Sequence, residues 1–115
     1  MPAFEQRLGQ FAQDAAPAID ELMEAVASAS ATDSTETAQA LLKRYIPLTQ
    51  RIASLAAQCG LAGLHSVCAL VETNLLLLQD DPRPLSAEES AMLEAWPMLL
   101  LGYAANHAEI GRAHV

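Results

Sequence analysis

Hydrophobic positions recur at helical spacing through most of this chain. Leu41, Tyr45, Leu48, Ile52, Leu55 and Cys59 follow one another at separations of four and three, drawing one apolar stripe along a helix. The next segment repeats the pattern with Leu61, Leu64, Cys68, Val71, Leu75 and Leu78. There the unbroken leucine run at 75 to 78 widens the stripe until almost no polar face remains, and an end so apolar must be covered by something.

Caps and breakers divide the chain into four helical segments. The first is expected from about residue 3 to 29, with Pro17 kinking or splitting it, because proline disrupts a helix interior. A Ser/Thr/Asp-rich loop at 28 to 35 follows, and Asp33 with Glu36 three residues on is read as a capping box. The second helix runs to about residue 59, where Gly60 supplies the positive φ that commonly ends a helix. The third covers 61 to 79, and so short a joint makes the second and third antiparallel neighbours. After the turn Asp80-Asp81-Pro82-Arg83-Pro84, Ser86 and Glu89 form the strongest capping box in the chain. The fourth helix is expected to end near His107, with Pro97 marking a kink or second start. The predicted fold is therefore all-α, an antiparallel up-down four-helix bundle over residues 1 to 110, with a frayed tail at 111 to 115.

Composition narrows the function. With 115 residues the chain suits one domain able to bury a core without staples, and its 52% apolar and 4% aromatic residues favour helices. A formal charge of −8 with only six Lys and Arg argues against nucleic acid and anionic membrane as partners. Cys59 and Cys68 lie in helical sequence and read as free thiols of a reducing compartment. The first ten residues lack a signal-peptide pattern, and the charge-free stretch from 52 to 71 is interrupted by Gln58, Gly60, Gly63, His65 and two serines. A cytoplasmic protein is the expectation.

The stretch LTQRIASLAAQCGLAGLHSVCALVE, residues 48 to 72, resembles the histidine phosphotransfer (HPt) family. In that family one helix reads roughly H-x-L-K-G-x-x-x-x-x-G and the next L-x-x-x-C-x-x-L-E. Gly60, Leu64, Cys68, Val71 and Glu72 match the later half, which puts Gln50 at the phosphoacceptor position and Ala53 and Ser54 where the lysine and glycine belong. A carboxamide nitrogen has no lone pair available to attack phosphorus, so Gln50 is a degenerate phosphoacceptor. The likeness is to the degenerate segments at the front of CheA-type chemosensory hybrid kinases, including those that control type IV pili, and covers about half the chain.

What the resemblance implies is a bacterial, non-catalytic, pseudo-phosphotransfer module of two-component or chemosensory signalling that docks a receiver or kinase domain. At 100° per residue Gln50 lies about 160° from Ile52, so Lys43, Pro47, Gln50, Ala53, Ser54 and Ala57 are assigned to an outward docking face. The bland alternative is an ordinary solvated face, although such a face is usually richer in Glu and Lys.

Other chemistry is weaker. His65, Cys68 and Glu72 share a helix at ligand-like spacing, yet no fourth ligand is evident, so neither metal nor cofactor is assigned and His65 reads as a core-edge histidine. His65 is also the one alternative phosphoacceptor, and without a lysine one turn on it is the weaker choice. Two rival functions remain: an active phosphotransfer intermediate using His65, and a structural domain that self-associates. The leucines at 75 to 78, with Trp96 and the apolar run 98 to 101, exceed what one small core can cover and point to a homodimer.

Overall fold

The computed structural model describes the backbone of residues 4–29 and 34–113 and the side chains of 4–29 and 34–103. Four helices form an up-down bundle: α1 (Phe4–Ser28), α2 (Thr35–Gln58), α3 (Ala62–Asp80) and α4 (Ala87–Ala113). The bundle is elongated, with principal extents of 50 × 21 × 21 Å.

The helix ends follow local chemistry. Gly60 has φ of 73°, Leu61 N donates to Ala56 O at 2.9 Å and Gly60 N to Ala57 O at 3.0 Å, the paired bonds of a Schellman cap. Arg7 Nη1 also donates to the Gly60 carbonyl at 3.3 Å, tying the start of α1 to this joint. At the head of α4, Ser86 N donates to Glu89 Oε1 at 2.8 Å while Glu89 N donates to Ser86 Oγ at 3.1 Å, a complete capping box. The cap of α2 differs from expectation: Ser34 Oγ accepts from Thr37 N at 3.1 Å, and Asp33 lies outside the described residues.

Among the described residues no proline splits a helix. α1 passes through Pro17, α2 through Pro47 and α4 through Pro97 without interruption, so the expected division of the first helix does not occur. Each proline frees the carbonyl four residues earlier. Pro17 and Pro47 lie on exposed faces, where water can satisfy that carbonyl. Pro97 is buried, and Tyr45 Oη supplies the missing bond by donating to Leu93 O at 2.9 Å. Helical backbone also continues to Ala113, past the expected end near His107.

The core draws on all four helices. Leu8, Phe11, Ile19 and Leu22 of α1 meet Leu42, Tyr45, Ile52 and Ala56 of α2, Leu64, Cys68 and Leu75 of α3, and Leu93, Trp96 and Leu100 of α4. The seams between α1 and α2, α2 and α3, and α1 and α4 are closely packed. The fourth is not: among the described residues no Cα of α3 lies within 8 Å of one of α4. Helices in full contact run with axes about 8–10 Å apart, so this seam is open.

Candidate functional site

The outward face of α2 is partly as expected and partly rotated. Lys43, Pro47, Gln50, Ser54 and Ala57 are exposed, but Ala53, expected on the same outward face, is buried at 6% exposure. Leu48, Leu55 and Cys59 are only half-buried, while Thr49, Ala53 and Ala56 are buried. The buried arc of α2 centres on Tyr45, Thr49, Ile52 and Ala56, rotated by roughly 60–70° about the helix axis from the direction of the apolar stripe. The cause is the arrangement of neighbours: α2 packs on both α1 and α3, and small or weakly polar residues fill the close approach that a leucine stripe could not.

This rotation moves Gln50 from the middle of the solvent face to its flank beside α3. Its Nε2 donates to Glu72 Oε1 at 3.1 Å, crossing from α2 to α3. Gln50 and Glu72, two positions on which the family resemblance turns, are thus brought together, a pairing that spacing within either helix could not reveal. The rest of the exposed face is small or cationic. Ser54 and Ala57 present little bulk, and Lys43 and Arg51 are exposed, while Arg44 lies 3.7 Å from Glu24 of α1. Arg51 occupies a position without a counterpart in the family pattern, so the resemblance carried no signal for it.

His65, Cys68 and Glu72 do not converge. Cys68 points into the core, Glu72 is committed to Gln50, and His65 is exposed rather than at the core edge. Among the described residues no three His, Cys, Asp or Glu side chains are placed to hold a metal ion. The thiols are poor nucleophiles. Burial pushes Cys68 up to about 11, and desolvation followed by the nearby Asp14 charge raises Cys59.

A second surface was visible in sequence only as excess leucine. A groove of about 540 Å³ opens between α3 and α4, with Leu64, Trp96 and Leu100 as its buried floor and Val67, Leu99 and Tyr103 along its sides. Of the described helices, α3 alone is long and apolar enough to cross a membrane by length and composition, and only 17% of that stretch is buried within the bundle. No protein-family model matches the chain, and comparison with curated proteins and with solved structures finds no match.

Proposed function

We propose that this chain is an HPt-like docking module without phosphotransfer activity, working in the cytoplasm in two-component or chemosensory signalling and binding a receiver or kinase domain. The observation that carries this reading is the Gln50–Glu72 hydrogen bond at 3.1 Å. It places an uncharged amide, held from behind by the motif glutamate, on an exposed flank bordered by Ser54 and Ala57. An imidazole there would be an acceptor for phosphorus. An amide in the same place leaves only recognition. Exposed Lys43 and Arg51 on the same helix suit the acidic phosphorylation pocket of a receiver domain, giving the approach a favourable charge.

The test is binding of the purified chain to receiver and kinase domains from the same genome, together with a phosphotransfer assay. Ala57→Arg and Ser54→Glu should abolish capture while leaving the melting curve unchanged, and no acid-labile phosphate should form on His65. Full affinity in both variants would move the docking face elsewhere. Phosphate on His65 would favour the active-intermediate alternative.

A further inference from the structure

We draw no further inference here: the strongest candidate, the apolar groove in the open seam between α3 and α4 with Leu64, Trp96 and Leu100 as its floor, carries nothing because nothing in the structure shows what covers it.

Discussion

Tyr45 of α2 donates its hydroxyl, at 2.9 Å, to the carbonyl of Leu93 on α4, the one carbonyl that Pro97 deprives of its helical partner. The bond crosses the bundle diagonally and is buried. Burial also drives the Tyr45 hydroxyl well above its ordinary pKa, which keeps it a donor throughout the accessible pH range. A proline in the middle of a buried helix is thereby accommodated by a side chain 48 residues away in sequence.

Tyr45→Phe should destabilise the fold by about 1–2 kcal/mol, because the Leu93 carbonyl would be left buried and unpaired. Pro97→Ala restores a backbone N–H for that carbonyl. In a double-mutant cycle followed by urea denaturation, Tyr45→Phe is expected to cost less in the Pro97→Ala background than in the wild type. Equal costs in both backgrounds would show that the hydroxyl acts by packing alone.

Gly60→Ala should cost about 1–2 kcal/mol, since φ of 73° is unfavourable for any residue with a Cβ. The added methyl would also come within 3.0 Å of Arg7 Nη1, the movable end of a long side chain. Arg7→Ala should therefore recover little of the loss. Thermal melts of the two single variants and the double variant measure the partition.

Glu89 accepts from Arg83 Nη1 and Nη2 at 2.7 Å each and from Ser86 N, and these bonds push its carboxyl down to about 2 from an ordinary 4.5. The arginine bonds dominate. A carboxyl lowered on folding stabilises the native state above its unfolded pKa, so this contribution is complete above about 4.5 and disappears as pH falls through about 2. Denaturation profiles at pH 7, 4 and 2.5 should show Glu89→Gln less stable than wild type at pH 7, with the difference shrinking at each step down.

Ala53 and Ala57, one turn apart, should respond in opposite ways to the same change. Ala53→Glu places a carboxylate in the core and should cost about 3 kcal/mol or more, whereas Ala57→Glu on the exposed face should stay within about 0.5 kcal/mol. Urea midpoints of the two variants measure the contrast. Similar midpoints would mean that the core face of α2 is not where the buried arc places it.

Local sequence determined the helices themselves. Four-three spacing set the number of elements, and Gly60, Ser86 and Glu89 carry their caps in their own covalent structure, since each bond they make spans only a few residues. Tertiary structure decided what no local window contains. Whether Pro17 or Pro97 breaks a helix depends on where the freed carbonyl can find a donor, and for Pro97 that donor comes from α2. The facing of Ala53, and hence the membership of the exposed face of α2, depends on which neighbours α2 touches, because alanine is apolar enough for a core and small enough for a surface. The Gln50–Glu72 pair and the open seam between α3 and α4 likewise exist only once separate helices are set side by side. Periodicity reports that a face is apolar; only the packing of the other helices reports whether that face is already covered.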